Sequence, residues 1–152
     1  MPILPIHPVL PACLARELSL STDARDGEFN GMSHAGIYLV LRNIGRRTCR
    51  ISGLPVVTLH GATGQALAHR RTPVGLHPGA AAMPVSLRPG TRVATGLRWV
   101  SGPVYAHNRR LDVHYANVAV AQRTLSTPLR AVVYAQEGRP ATFDQQLLTY
   151  PS

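Results

Sequence analysis

The sequence predicts an all-β domain, an antiparallel immunoglobulin-like β-sandwich of about eight or nine strands. Short runs with alternating apolar residues recur between turns rich in Gly, Pro and Asn, which is typical of such sandwiches. In one of these runs Ile37, Leu39 and Leu41 share a face. No segment keeps the 3.6-residue apolar period of an amphipathic helix over a helical length. The length, 152 residues, suits a single domain with a sizeable core.

The predicted strands follow one another closely along the chain. Residues 1–11 form an extended, proline-spaced lead-in, and residues 12–136 form the sandwich. Residues 137–152 are predicted to be a polar tail that packs on the domain or is partly free. Residues 22–33 and 69–79 are predicted to be loops. The strands are expected at residues 16–21, 34–44, 49–52, 55–60, 82–87, 92–100, 109–115, 118–125 and 129–135.

All of the basic charge comes from arginine. The formal net charge is +9, and the sixteen basic residues include no lysine. Guanidinium groups suit phosphate and carboxylate ligands, although a GC-rich gene also favours arginine codons. The arginines are scattered without an interleaved basic–aromatic pattern, which argues against a nucleic-acid partner. We expect a protein or an anionic cell-envelope component to bind a surface with three arginine pairs: Arg46, Arg47, Arg70, Arg71, Arg109 and Arg110.

The N-terminus and the two cysteines bear on the compartment. Residues 1–13 carry four prolines and no cluster of positive charge, so they make a poor signal peptide. If the protein is exported, we expect its signal segment to have been removed, and Pro11 argues against a lipid anchor on Cys13. No apolar run has the length of a transmembrane helix. Cys13 and Cys49 are too far apart for a CxxC pair, and both a disulfide and two buried thiols stay open.

A copper or other transition-metal site is the alternative function. Thioethers and imidazoles bind copper, and Met32 lies two residues from His34. Asp112 and His114 fall on one face of a predicted strand because side chains alternate. Against this reading, His-x-His spacing is absent and the sequence indicates no third ligand. A surface histidine beside an aspartate and a core methionine account for the same residues.

Catalytic motifs are absent from the sequence. Gly-x-Ser-x-Gly does not occur, and the seven acidic residues form no paired-carboxylate motif. A phosphate-binding loop requires a lysine after its glycines, and none follows the glycines at 61 and 64. We therefore predict no enzymatic activity and no cofactor.

Several short motifs occur in a fixed order. They are Asn43-x-Gly45, Cys49, Gly53-x-Pro55, Pro89-Gly90 and, shortly afterwards, Trp99. In this order they resemble the DUF4232 family of exported bacterial domains, over roughly residues 12–135. The resemblance implies a secreted, periplasmic or lipid-anchored β-sandwich in which the family's two cysteines, here Cys13 and Cys49, form a disulfide. Many members carry a further cysteine in the region of residues 105–108, which this chain lacks, so one bridge is the maximum.

The resemblance implies no activity and no catalytic residue. We therefore expect a non-enzymatic, periplasmic or secreted β-sandwich domain that binds a protein or an anionic envelope component.

Overall fold

Ten β-strands make up most of the described chain. The computed structural model describes residues 9–76 and 82–150. Two short 3₁₀ helices, Ala15–Glu17 and Arg25–Gly27, flank the first strand. The strands are β1 (Leu18–Asp23), β2 (His34–Asn43), β3 (Cys49–Ile51), β4 (Val57–His60), β5 (His69–Val74), β6 (Val85–Leu87), β7 (Arg92–Val100), β8 (Asn108–Val120), β9 (Arg123–Gln136) and β10 (Ala141–Gln146).

These strands form three sheets. The largest has five strands in the order β1-β2-β7-β10-β5, the second has the order β4-β8-β9, and β3 pairs with β6. Every pairing is antiparallel except that of β10 with β5. The all-β prediction is confirmed, with ten strands instead of eight or nine. An immunoglobulin-like arrangement is not confirmed.

One hydrophobic core joins the two larger sheets. Because side chains alternate along a strand, Leu39 and Leu41 of β2 both point inward, and both are fully buried. The facing strands β8 and β9 supply Val113, Val118 and Val133. All five side chains belong to a single buried cluster, which also contains both cysteines. The two sheets therefore share their inner faces as two packed layers.

The loop between β1 and β2 folds back over the outer face of the five-stranded sheet. Its Phe29 ring packs on Tyr38, with the ring centroids 4.8 Å apart. A Cβ atom on Gly36 would lie 2.7 Å from Phe29 Cβ, and a Cβ atom on Gly96 would lie 2.6 Å from the Phe29 ring. Only glycine leaves room for the ring at these two positions. The predicted loop thus also contributes a packed aromatic side chain.

A bulge allows β8 to continue where the sequence predicts a break. Alternation predicts separate strands at 109–115 and 118–125, but β8 is one strand that ends at residue 120. The register shifts between Val113 and Tyr115, and the buried positions change there from odd to even numbers. An extra residue disturbs the alternation without ending the strand. The end of the predicted strand 118–125 belongs to β9, which follows a two-residue turn.

Two strands lie where the sequence predicts none. Residues 141–146 form β10 inside the five-stranded sheet, although residues 137–152 are predicted to be a polar tail. Residues 69–74 form β5 within a predicted loop, and Pro73 is tolerated there because β5 is an edge strand.

A buried polar contact explains why apolar alternation does not reveal β10. Gln145 is fully buried, and its Nε2 donates to the Pro55 carbonyl oxygen at 2.9 Å. Arg71 Nη1 donates to the same oxygen at 2.8 Å and lies 3.4 Å from Gln145 Oε1. Polar side chains occupy inward positions on both strands because they satisfy one another and the Pro55 carbonyl.

Phe143 tests whether β10 belongs to the cooperative fold. It is 1% exposed, so Phe143→Ala should lower the free energy of unfolding by about 3–5 kcal/mol through lost burial and a cavity. Thr142→Ala truncates the exposed neighbour on the same strand and should change the free energy of unfolding by less than about 0.5 kcal/mol. Urea unfolding followed by Trp99 fluorescence measures both. Two equally small effects would show that β10 contributes nothing to the fold.

Candidate functional site

A disulfide fastens the N-terminal segment to β3. Cys13 and Cys49 are joined, with their sulfur atoms 2.04 Å apart, and this is the pairing that the family resemblance implies. Beside the disulfide, the Cys13 N–H donates to the Arg50 carbonyl, and the Arg50 N–H donates to the Pro11 carbonyl, both at 2.8 Å. Covalent and backbone bonds therefore hold the same segment. We call residues 11–17, 43–50 and 87–91 the disulfide corner.

Asn43 is the buried polar centre of the disulfide corner. Its side chain is fully buried, and its Nδ2 donates to the carbonyl oxygens of Arg47 and Leu87, each at 2.9 Å. Its Oδ1 accepts the Gly45 N–H at 2.8 Å. The amide thus closes the turn after β2 and ties that turn to the end of β6. This geometry explains the Asn-x-Gly motif.

Glu17 and Arg47 form a bidentate ion pair in the disulfide corner. Arg47 Nε donates to Glu17 Oε2 at 2.6 Å, and Arg47 Nη2 donates to Glu17 Oε1 at 2.9 Å. The Leu14 N–H donates to the same Oε1 at 2.9 Å. The hydrogen bonds from Arg47, followed by that from Leu14, lower the pKa of the Glu17 carboxyl to about 2 although burial opposes this. Glu17 is therefore ionised, and Arg47 neutralises it.

Exposed arginines collect around the disulfide corner. Arg42 of β2 and Arg92 of β7 lie directly opposite one another in the antiparallel pairing, and both are exposed. Backbone hydrogen bonds from Asn43 to Thr91 and from Gly90 to Asn43 bring the turn that begins at Arg88 to the same end. We define the arginine cap as Arg16, Arg42, Arg46, Arg88, Arg92 and Arg123.

The remaining three members of the arginine cap lie on other segments. Arg16 directly precedes Glu17, and Arg46 lies in the turn that Asn43 closes. Arg123 begins β9, and together with Arg16 it lines a groove between the two larger sheets.

No member of the arginine cap forms an ion pair in the part of the chain that the structure describes. Both ion pairs found there involve other arginines, Arg47 and Arg110. The carboxylate of Glu17 is already paired. Asp23 lies at the opposite end of β1, roughly 17 Å away at the usual rise of a strand. An excess of positive charge at one end of a sandwich attracts anions over several ångströms.

A groove of about 450 Å³ opens beside the disulfide corner. It lies where the start of β1 approaches the start of β9, the edge strands of the two larger sheets. Leu14 and Leu125 are half-buried in it, whereas Arg16 and Arg123 are exposed. The complete lining is Leu14, Ala15, Arg16, Ala121, Arg123 and Leu125.

A comparison with protein families places the chain. The model of a domain of unknown function, DUF4232, matches residues 13–149. The chain belongs to the DUF4232 family. The match spans both cysteines, the whole arginine cap and β10. No curated protein and no solved structure matches the chain. Within residues 9–76 and 82–150, the DUF4232 fold contains no helix that is long and apolar enough to cross a membrane.

The arginine pairs predicted from the sequence occupy unlike environments in this DUF4232 domain. Arg46 and Arg70 are exposed. Arg47 and Arg71 are engaged within the fold, the first with Glu17 and the second with the Pro55 carbonyl. Adjacency in sequence therefore does not indicate a shared role. On β5 the neighbouring side chains of Arg70 and Arg71 point to opposite faces, and in the turn after β2 only Arg47 reaches Glu17.

The third pair lies at the start of β8. Arg109 donates to the Arg139 carbonyl, and Arg110 Nε donates to Asp112 Oδ1 at 3.0 Å. His114 Nε2 lies 3.5 Å from Arg130 Nη1. Arginines thus flank both Asp112 and His114, which the alternative reading assigns to a metal site.

The other two predicted metal ligands lie in and after the loop that precedes β2. The side chain of Met32 is 92% exposed, and His34 Nδ1 lies 2.8 Å from the Met32 carbonyl oxygen. No cluster of three or more His, Cys, Asp or Glu side chains suited to a metal occurs within residues 9–76 and 82–150. A second histidine–methionine pair, His77 and Met83, lies six residues apart in the sequence. His77 lies outside the described residues.

A polar network on the outer face of the three-stranded sheet was not apparent from the sequence. The rings of His60 and Tyr115 stack 4.9 Å apart. Thr58 Oγ1 and Asn117 Nδ2 lie 2.9 and 3.1 Å from His60 Nε2, and Ser126 donates to Asn117 Oδ1. These groups bind one another in rows across the strands, so the network is explained by cross-strand pairing.

Sequence patterns also do not reveal that most members of the arginine cap lie close together. Arg42 and Arg92 are fifty positions apart, and only the pairing of β2 with β7 brings them together. One signal was available, since alternation places Arg42 on the outer face, opposite to Leu41. The partner strand could not be identified from alternation.

The ion pair of Glu17 predicts a pH-dependent stability. Glu17→Gln should lower the free energy of unfolding by about 2 kcal/mol near neutral pH, because charge-assisted hydrogen bonds are lost. The folded-state pKa of about 2 lies below the usual 4.5, so this advantage of the wild type is full above pH 4.5. It should shrink as the pH falls from 4.5 towards 2. Urea unfolding at neutral pH and at two acidic values measures the difference.

Asp112→Asn is the matched control for this experiment. The carboxylate of Asp112 is 60% exposed beside Arg110, and such surface pairs contribute under about 1 kcal/mol. A difference between wild type and Glu17→Gln that does not change with pH would contradict the assignment.

Proposed function

We propose that this DUF4232 domain is a non-enzymatic, exported binding domain that holds an anionic partner against its arginine cap. The observation that carries the proposal is the set of exposed arginines around the disulfide corner, none of which forms an ion pair with a described residue. The partner is an acidic protein or an anionic component of the cell envelope. Both present the carboxylate or phosphate oxygens that a guanidinium binds in a bidentate manner.

The paired strands support a cooperative binding surface. Arg42 and Arg92 start from Cα positions about 5 Å apart, as directly opposite residues in an antiparallel pair do. Like charges at directly opposite positions repel each other, and an anion between them relieves the repulsion. The backbone beneath them is already fixed by the hydrogen bonds of Asn43, so little backbone conformational freedom is lost when a partner binds.

The disulfide supports export. Disulfides persist in oxidising compartments such as the periplasm or the extracellular space, and thiols are kept reduced in the cytosol. Cys13 and Cys49 are both buried, and they anchor the corner that carries the arginine cap. A binding surface that depends on a disulfide suits a protein that works outside the cytosol.

Charge reversal at the paired strands tests the proposal. Arg42→Glu/Arg92→Glu should weaken binding by about tenfold or more, because two favourable charge contacts become repulsive. The probes are vesicles of phosphatidylglycerol with phosphatidylcholine, and soluble polyglutamate. Sedimentation with vesicles and fluorescence titration with polyglutamate show which source of anionic oxygens the domain prefers. Binding should also decrease as salt is added.

Arg70→Glu/Arg139→Glu is the control, since it changes the net charge equally at exposed positions outside the arginine cap. It should alter affinity by less than about threefold. Equal losses in the two variants would mean that only net charge matters. Such a result, or a wild-type protein that binds neither probe, would overturn the proposal.

A further inference from the structure

We infer that the groove beside the disulfide corner receives an extended, acidic segment of a protein partner, which adds to the free edge of β9. The inference rests on the proposed function, and it names the class of anionic partner. An apolar side chain of the segment lies over Leu14 and Leu125, and its carboxylates face Arg16 and Arg123. Both arginines line the groove, and neither takes part in an ion pair within the described fold.

The groove offers an apolar floor with a charged rim. Leu14 and Leu125 are only half-buried, and Leu125 packs against the main core. A volume of about 450 Å³ falls within the range of ligand sites in proteins and accommodates a large aliphatic side chain. Covering this floor removes apolar surface from water. The occupant therefore carries an apolar group between its charged groups.

The open edge of β9 supplies backbone hydrogen-bonding groups beside the groove. No described strand pairs with the side of β9 that faces away from β8. The Ala119 N–H donates to the Val56 carbonyl, towards β4, and Thr124 is the cross-strand partner of Ala119. In an antiparallel ladder, Thr124 therefore directs its own N–H and carbonyl away from β8. An extended peptide can bind to these groups by strand addition.

Pro128 limits where such a segment can pair. Proline has no N–H and lies in the middle of β9, so continuous pairing is confined to the stretch from Arg123 to Thr127. This stretch begins at the groove. Backbone pairing and the apolar floor thus select the same short segment of a partner.

The charges select an acidic segment. Arg16 and Arg123 are exposed on either side of the groove, and the nearby carboxylate of Glu17 is already paired with Arg47. A lipid could satisfy the arginines and the apolar floor, but it has no backbone to pair with the strand edge. A second copy of the chain would bring a second arginine cap close to the first, which like-charge repulsion opposes.

Designed peptides test the inference directly. The probe is a terminally blocked hexapeptide of alternating glutamate and leucine, titrated into the full ¹⁵N-labelled chain. Amide shifts should concentrate at residues 14–16 and 121–127. Three control peptides should cause no such shifts: one with lysine in place of glutamate, one with serine in place of leucine, and one with N-methylated alternate amides. The last control tests backbone pairing without any change in the protein.

A variant pair separates this inference from the proposed function. Arg16→Glu/Arg123→Glu should weaken the hexapeptide by about tenfold or more, whereas Arg42→Glu/Arg92→Glu should retain its binding within about threefold. If vesicles or polyglutamate bind through Arg42 and Arg92 but the peptide shifts no groove amide, the inference fails and the proposed function stands. If the peptide binds the groove while neither polyanion binds, the inference stands and the role proposed for Arg42 and Arg92 fails.

Three further outcomes would overturn the inference. The N-methylated peptide could bind as well as the unmodified one, which would exclude strand addition. Vesicles could shift the groove amides more than the peptide does, which would identify a lipid occupant. The groove amides could shift with protein concentration alone, which would identify a second copy. Arg123→Glu by itself, at an exposed position, gives the same comparison if the double variant does not fold.

Discussion

The disulfide corner depends on the buried amide of Asn43. A buried amide is costly unless its groups are hydrogen-bonded, and here both donors and the acceptor have partners. Those partners lie in the turn after β2 and at the last residue of β6, and within the described residues no other side chain hydrogen-bonds to both. The disulfide at Cys49 then adds the N-terminal segment to the same point. Asparagine, glycine and cysteine thus act as one structural unit.

The position of the arginine cap follows from that unit. Bringing several arginines together costs free energy through mutual repulsion, and a flexible end would relieve the repulsion by moving apart. The hydrogen bonds of Asn43 to both neighbouring turns prevent such movement. Glu17 offsets part of the positive charge, because its carboxylate forms the ion pair with Arg47 and also attracts the guanidinium of Arg16. The remaining charge faces solvent, where an anion can neutralise it.

The sequence predicts the parts of this fold that are local. Alternation in β2 and β7, the Asn-x-Gly turn and the Gly-x-Pro break all follow from rules that act within a few residues. The parallel pairing of β10 with β5 is not local, and the buried Gln145 hides it because its stabilising partners come from distant segments. The arginine cap is hidden for the same reason. Arg42 and Arg92 become neighbours only through a strand pairing that alternation cannot assign.

Edge strands explain why binding and solubility can share the same residues. Among the described residues no strand pairs with the outer sides of β1 and β9. Such edges invite pairing between copies, and proteins commonly prevent this with charge or proline. Here Arg123 lies at the start of β9 and Pro128 in its middle. Positive charge repels another copy of this basic chain, yet it attracts an acidic segment. In the binding mode that we propose, the same arginine discourages self-association and favours an acidic partner, so specificity would arise from charge at a strand edge.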